Sequence, residues 1–189
     1  MRLKNRSLAA LLVAACALPV AVPAAQAQDN HPLAIEAAAS PADVNSVDGI
    51  LAALYNVISG PAGKQRDWNR LRSLFAPTAH MVVIGNRPEG ASPATAMTVD
   101  EFVGRVTKAV AEEGFYESEV ARSTEAFGPL VHVFSTYESR HAPGDAKPFQ
   151  RGINSLQLTF DGRRWWIANL VWRAETAQQP LPARYAPRR

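Results

Sequence analysis

Two alternating runs of residues meet at a short turn in the stretch QRGINSLQLTFDGRRWWIANLVW (residues 150–172). Residues 150–160 and 163–172 each alternate between two sets of side chains, as the strands of a half-buried sheet do. Asp161-Gly162 between them is typical of a two-residue type I′ turn, because both turn positions need a positive φ that Asp and Gly tolerate. The stretch therefore predicts a β-hairpin, which decides the faces of the sheet.

A two-residue turn also fixes which side chains of the hairpin share a face. Phe160 then lies opposite Arg163, and each earlier residue of the first strand pairs with the residue equally far along the second strand. One face is apolar except for Asn154 opposite Asn169, so we predict that it faces the interior. The other face mixes polar groups with large apolar ones, namely Trp166, Leu170 and Trp172. Such a face is too apolar for a solvated surface, and it favours an oligomer interface.

Residues 115–127 and 130–140 alternate as well and extend the hairpin to an antiparallel meander. If Arg140 lies opposite Phe149, the inward-facing residues of 130–140 are Val131, Val133, Ser135 and Tyr137. Glu117 and Glu119 share one strand face, as paired catalytic carboxylates do. No feature of the sequence indicates that either is buried, so we expect a solvated face.

The sequence predicts three helices in the first half of the domain. Ser46 precedes an apolar stripe over 47–58, and Asp67 caps a second helix that ends before Pro77. Residues 81–84 predict a short strand, and 85–97 a loop. Thr98 and Glu101 form a capping box at the start of a third helix. Helices followed by an antiparallel meander predict an α+β fold with the helices on one face of the sheet.

The N-terminal residues have the pattern of an export signal. A basic start precedes the apolar run 8–18, and Ala25-Gln26-Ala27 has the small-x-small form of a cleavage site. We predict a signal peptide over 1–27, a mature chain starting near Gln28, and a periplasmic or secreted protein. In the alternative interpretation, Cys16 is the lipidated N-terminus of a lipoprotein. A disordered linker over 28–45, a domain over 46–173 and an extended tail over 174–189 complete the chain.

Removal of the leader changes the charge balance of the protein. The whole chain has 20 basic and 17 acidic residues, and the leader contains three of the basic ones, so the mature net charge is 17 − 17 = 0. A neutral chain without a run of Lys or Arg lacks the electrostatic signature of a nucleic-acid-binding protein. The chain has one cysteine, Cys16, so no disulfide is expected, and no membrane-spanning segment is expected after cleavage.

Several motifs together resemble those of the nuclear transport factor 2-like superfamily, with the SnoaL-like branch as the nearest. They are the segment 67–77, the helix that begins at the capping box, the strand 132–138 and the segment 161–167. The resemblance covers 46–173. It implies a cystatin-like α+β cone, in which N-terminal helices pack on a curved antiparallel sheet. It also implies a pocket at the open end and a dimer through the outer sheet face.

The catalytic residues of this superfamily are mostly not matched. Ketosteroid isomerase-like members place a carboxylate base on the strand after the second helix, where this chain has 81–84 without an acid. The segment 67–71 also resembles scytalone dehydratase, which has an Asp just upstream, where this chain has 64–66 without one. Tyr55 on the first helix resembles the hydrogen-bond donor of the isomerases.

Three functions from different classes remain open at this stage. The first is an exported protein that binds a small apolar or aromatic ligand; its expected ligand-binding residues are Trp68, Ser135, Tyr137, Asn154 and Asn169. The second is a cofactor-free lyase, isomerase or hydrolase with His80 as general base and a tyrosine donor, Tyr55 or Tyr137. The third is an interaction module that uses the face of Trp166 and Trp172. The four histidines lack the spacing of metal ligands, so no metal or cofactor is expected.

Overall fold

The computed structural model describes residues 39–86 and 90–187. The predicted leader, the alternative lipid anchor at Cys16 and residues 28–38 of the predicted linker lie outside the described residues. The helices are α1 (Pro41–Val44), α2 (Val47–Ile58), α3 (Trp68–Leu74) and α4 (Val99–Glu112). The strands are β1 (Phe75–Ile84), β2 (Ala94–Met97), β3 (Tyr116–Phe127), β4 (Leu130–Arg140), β5 (Gln150–Phe160) and β6 (Trp165–Ala174). A 3₁₀ turn, Ala183–Tyr185, follows β6.

The helices begin where their capping residues predict. The Gly49 backbone N–H donates to Ser46 Oγ at 2.9 Å, and that of Arg70 donates to Asp67 Oδ1 at 2.9 Å. At the start of α4 the capping box is complete, because Thr98 and Glu101 each bind the other's backbone N–H. These bonds satisfy N–H groups that have no partner inside a helix, and the three predicted helix starts are confirmed.

The six strands form one curved, mixed sheet in the order β2-β1-β6-β5-β4-β3. Four pairings are antiparallel, and three of them, β3–β4, β4–β5 and β5–β6, form the predicted meander, whereas β1 runs parallel to β6. The expected loop over 85–97 is wrong for Ala94–Met97, which form the edge strand β2 against β1. Three of these four residues are exposed, so they lack the apolar alternation that marks a half-buried strand.

The β5–β6 turn differs from the two-residue turn that the sequence predicts. Phe160 pairs with Trp165, so four residues form the loop. The Asp161 carboxylate accepts hydrogen bonds from the backbone N–H groups of Arg163 and Arg164 at 2.8 and 2.9 Å, which stabilises the longer turn. The longer loop shifts the register by an even number of residues, so each side chain stays on the face that was predicted for it. Leu158 and Ile167 therefore still face the interior, and they lie opposite each other.

A β-bulge at Ala168 then reverses the faces of the rest of β6. Beyond it Gln157 pairs with Asn169, and Leu156 pairs with Leu170. One extra residue turns every later side chain to the opposite face. The predicted pairing of Asn154 with Asn169 is therefore wrong, since Asn154 lies opposite Trp172. Leu170 is only 4% exposed and faces inward, together with Trp172.

The predicted register of β4 and β5 is confirmed. Ser139 pairs with Gln150 and Glu138 with Arg151, so the odd-numbered side chains of β4 point inward. A second bulge, at Val120, interrupts the pairing of β3 with β4. On the N-terminal side of this bulge, Glu117 lies opposite Ser139, and both side chains point inward. Without the extra residue, Glu117 would lie opposite Arg140 and face outward.

The core lies between α2, α3, α4 and the inner face of the sheet. It is made of aliphatic side chains that the two layers contribute in similar numbers, among them Ile50, Leu51, Leu54, Leu71, Leu74, Val131, Val133, Leu156, Leu158, Ile167 and Leu170. Their removal from water is the main favourable term for the fold, about 1.5–3 kcal/mol for each fully buried aliphatic side chain.

Both ends of the described chain pack against the domain. Residues 41–44, predicted as part of a disordered linker, form α1, and the Asp43 carboxylate binds the Arg70 guanidinium at 2.7 and 2.9 Å. At the other end, the hydroxyl of Thr136 donates to the Tyr185 carbonyl at 2.7 Å, and the Tyr185 ring contacts Phe134. The predicted tail thus lies across the outer face of β4.

Candidate functional site

A cavity of about 260 Å³ lies between the helices and the inner face of the sheet. Most of its wall is apolar or aromatic and comes from Leu54, Ile58, Trp68, Met81, Phe102, Val106, Ala109, Val110, Phe115, Leu170 and Trp172. Its polar lining residues are Glu117, Tyr137, Gln150 and Asn154. A mostly apolar wall with a few convergent polar groups is the usual form of a small-molecule site.

Glu117 lies at the centre of these polar residues. Ser139, its neighbour on β4, donates to Glu117 Oε2 at 2.9 Å, and Asn154 Nδ2 donates to Oε1 at 3.3 Å. Burial raises the pKa of Glu117 to about 7, although both hydrogen bonds favour the ionised form. A carboxyl group with this pKa exchanges protons near neutral pH, where an ordinary glutamate is fully ionised.

A buried hydrogen-bond network continues from Asn154 away from the cavity. Asn154 Nδ2 also donates to the Tyr55 hydroxyl oxygen at 3.1 Å, and that hydroxyl shares a 2.7 Å hydrogen bond with Ser135 Oγ. Burial raises the pKa of Tyr55 above its usual range, so the hydroxyl stays neutral. Tyr55 and Ser135 therefore hold Asn154 in place and do not themselves line the cavity.

Tyr137 lines the cavity beside this network. Its hydroxyl donates to Gln150 Oε1 at 3.4 Å, and burial raises its pKa, so it also stays neutral. Gly152 lies opposite Tyr137 on β5 and has no side chain to obstruct the ring.

On its other side, Glu117 borders an open groove of about 720 Å³ between α2 and β3. The other charged residues of this groove form ion pairs, although Glu138, the partner of Arg140, does not line the groove. Arg122 binds Glu119 and Asp48, and Arg140 binds Glu138 at 2.7 Å. Glu117 is thus a member of both concavities.

The structure brings together five of the seven predicted site residues. Trp68, Tyr137 and Asn154 line the cavity, and Tyr55 and Ser135 lie directly behind Asn154. The placement of the other two is wrong. His80 and Asn169 pair with each other across β1 and β6, on the face that points away from the cavity, and His80 is exposed.

The local geometry of His80 explains this correction. Met81, the next residue of β1, pairs with Leu170 and lines the cavity, so His80 must point to the opposite face. Its Nδ1 lies 3.1 Å from the carbonyl oxygen of Thr78. His80 is therefore not a general base in this cavity.

Sequence reasoning missed Glu117 and Gln150. The two-residue alternation of 115–127 grouped Glu117 with Glu119, but the direction of both depends on the bulge at Val120, which leaves no clear mark in the sequence. Gln150 was predicted only as the first residue of a strand. Its hydrogen bond to Tyr137 would have followed from the β4–β5 register, which the sequence predicts correctly.

The comparisons with known proteins concern the fold. No protein-family model and no curated protein matches the chain. A crystal structure from Novosphingobium aromaticivorans, assigned as the β-subunit of an aromatic-ring-hydroxylating dioxygenase, matches with a TM-score of 0.52 and 14% identity. The match covers 76% of this chain and 95% of that one. The chain has the nuclear transport factor 2-like fold.

Two further solved structures are similar at lower scores. A nuclear transport factor 2-like protein of unknown function from Silicibacter pomeroyi is 20% identical, with a TM-score of 0.44 over 69% of this chain and 99% of that one. A protein from Kribbella flavida assigned as a ketosteroid isomerase is 15% identical, with a TM-score of 0.43 over 77% and 89%.

Two further properties concern metals and membranes. Within residues 39–86 and 90–187, no group of three or more His, Cys, Asp or Glu side chains is arranged to hold a metal ion. None of the helices in the same ranges combines the length and the hydropathy needed to cross a bilayer.

The raised pKa of Glu117 predicts a characteristic dependence of stability on pH. The folded chain holds this proton more tightly than the unfolded chain, whose glutamate pKa is near 4.5. Its contribution to stability is therefore full below about pH 4.5 and is lost as the pH rises through about 7. Relative to wild type, Glu117→Gln should gain up to about 3 kcal/mol of unfolding free energy between pH 4 and pH 8.

Urea unfolding of both proteins at several pH values measures this difference. Glu125→Gln is the control, because Glu125 is exposed on the same strand, and it should show no such trend. A difference between Glu117→Gln and wild type that is flat with pH would mean that Glu117 is an ordinary solvated carboxylate.

Proposed function

We propose that the chain binds a small, largely apolar or aromatic molecule in the 260 Å³ cavity, with the polar end of that molecule next to Glu117. One observation carries the proposal: an apolar wall ends in four convergent polar residues, namely Glu117, Tyr137, Gln150 and Asn154. The volume is slightly below the 300–1,000 Å³ usual for drug-sized ligands, so it favours a ligand built on about one ring.

Filling the cavity tests this proposal. Val106 of α4 is partly buried and lines the cavity, so Val106→Phe should occupy part of its volume and weaken binding by about tenfold or more. Benzyl alcohol serves as the probe, and calorimetry or the fluorescence of Trp68 and Trp172 as the readout. Lys108→Phe adds the same ring at an exposed position of the same helix and should leave binding unchanged. Equal affinities for both variants would contradict the proposal.

A second candidate function is a cofactor-free lyase, isomerase or hydrolase. The proton-transfer group is then Glu117 and not His80, because Glu117 lines the cavity and burial raises its pKa to about 7, whereas His80 points to the opposite face of the sheet. Tyr137 is the tyrosine that reaches the same space. In a screen of small carbonyl compounds, Glu117→Gln should abolish any turnover, whereas a pure binding protein shows none in either form.

Export and a homodimer remain proposals. Export to the periplasm or exterior rests on the leader pattern over 1–27 alone. Of the residues expected to form a homodimer interface, Leu170 and Trp172 face the cavity, and Trp166 binds Asp161 through its indole N–H at 2.7 Å. The interaction-module hypothesis uses a sheet face that contains Trp166 and Trp172, whereas Trp172 lines the cavity.

A further inference from the structure

Glu117 lacks a cationic partner among the residues that the structure describes. Its hydrogen-bond donors are the neutral groups of Ser139 and Asn154. The nearest arginines of the adjoining groove, Arg122 and Arg140, are engaged with other carboxylates. A carboxylate that is partly removed from water without a counter-ion carries a desolvation cost, and a ligand of positive charge would offset that cost.

The polar end of the cavity is better suited to a donor than to an acceptor. Both carboxylate oxygens of Glu117 already accept one hydrogen bond each, which is the arrangement of an ionised carboxylate with lone pairs left over. Gln150 presents its carbonyl oxygen to the Tyr137 hydroxyl and so to the same region. A ligand with two or three N–H groups would complete these acceptors.

The cavity wall is rich in aromatic residues. Five aromatic residues line the cavity, namely Trp68, Phe102, Phe115, Tyr137 and Trp172. Phe102 and Trp172 meet edge to face, with ring centroids 6.0 Å apart. Aromatic faces attract cations as well as apolar groups, most strongly where water is excluded.

We propose that the cavity binds a small organic amine in its ammonium form, with the ammonium group on Glu117 and an aromatic or alicyclic body against Trp68, Phe102 and Trp172. The proposal rests on the proposed binding function and names its ligand class. An ammonium ligand differs here from a carbonyl ligand, because a carbonyl oxygen needs a hydrogen-bond donor where the Glu117 carboxylate offers acceptors.

The pH dependence of binding separates these two ligand classes. The titratable groups around Glu117 are Tyr55 on α2 and Tyr137 on β4, which stay neutral, and the charged residues of the groove are Asp48, Glu119, Arg122 and Arg140. None of the described histidines lines either concavity. Between pH 8 and pH 6, Glu117 therefore dominates the change of charge in the cavity.

A matched pair of probes, benzylamine and benzyl alcohol, tests the proposal by calorimetry. At pH 8 the amine should bind about tenfold or more tightly than the alcohol, because its ammonium group makes a charge-assisted hydrogen bond to the ionised carboxylate. At pH 6 protonation of Glu117 should reduce this preference by about tenfold. Glu117→Gln should remove the preference and keep alcohol binding, whereas Glu125→Gln should change neither.

The outcomes separate the failure of this inference from that of the binding function. If wild type binds the alcohol as tightly as the amine at pH 8, or if its preference is the same at pH 6, the ligand class is wrong while cavity binding stands. If neither probe binds, both proposals are overturned. Because the pH comparison uses wild type alone, the test does not depend on the folding of a variant.

Discussion

Replacement of Arg66 by methionine is expected to lower the free energy of unfolding by about 3 kcal/mol and the melting temperature by roughly 10 °C. Arg66 is 4% exposed and lies in the connection between α2 and α3. Its guanidinium donates to four carbonyl oxygens, those of Ile58, Gly60, Pro61 and Lys64, at 2.6–3.2 Å. Methionine retains the apolar stem but leaves these acceptors without their donor.

The loss should also reach the cavity. Gly60, one of the four acceptors, pairs with Phe115 in an isolated bridge, and Phe115 lines the cavity wall. Arg105→Met is the control, since Arg105 is exposed on α4, and it should change the free energy of unfolding by less than about 0.5 kcal/mol. Similar stabilities of the two variants in urea would show that the Arg66 hydrogen bonds are replaced by water at little cost.

Replacement of Gly152 by alanine is expected to cost about 3 kcal/mol of unfolding free energy. A methyl group at this position would overlap the carbonyl oxygen of Arg173 and lie 2.5 Å from the Tyr137 hydroxyl oxygen. The carbonyl belongs to the neighbouring strand and cannot move without breaking the sheet register. The Tyr137 ring must also shift, so binding of benzyl alcohol should weaken in the same variant.

The same substitution at Gly104 should have the opposite sign. Gly104 lies within α4, and a Cβ there would meet nothing within 4 Å. Alanine has the higher helix propensity, so Gly104→Ala should stabilise the protein by about 0.5–1 kcal/mol. Urea unfolding of the two variants provides the comparison. A neutral or stabilising effect of Gly152→Ala would mean that β5, β6 and Tyr137 are less closely packed than described.

The sequence predicts those parts of the fold that depend on neighbouring residues. Ser46, Asp67 and the pair Thr98 and Glu101 each act within three positions of the chain, and each begins a helix as expected. The inward direction of Tyr137 and Asn154 follows from strand alternation, which continues without interruption along β4 and β5.

The remaining errors arise mainly from two single-residue irregularities. The bulge at Ala168 turned Asn169 outward and Trp172 inward, and the bulge at Val120 turned Glu117 inward. Neither bulge is formed by a glycine or by a residue with positive φ, so alternation counted along one strand does not reveal it. The candidate site was therefore half predictable, and its central carboxyl group was not.

The bulges at Val120 and Ala168 also affect how the residues that line the cavity can change in evolution. Loss of the extra residue at either position would exchange the inward and outward side chains along the rest of that strand. A single deletion would therefore change several lining residues at once, Leu170 and Trp172 on β6 or Glu117 on β3.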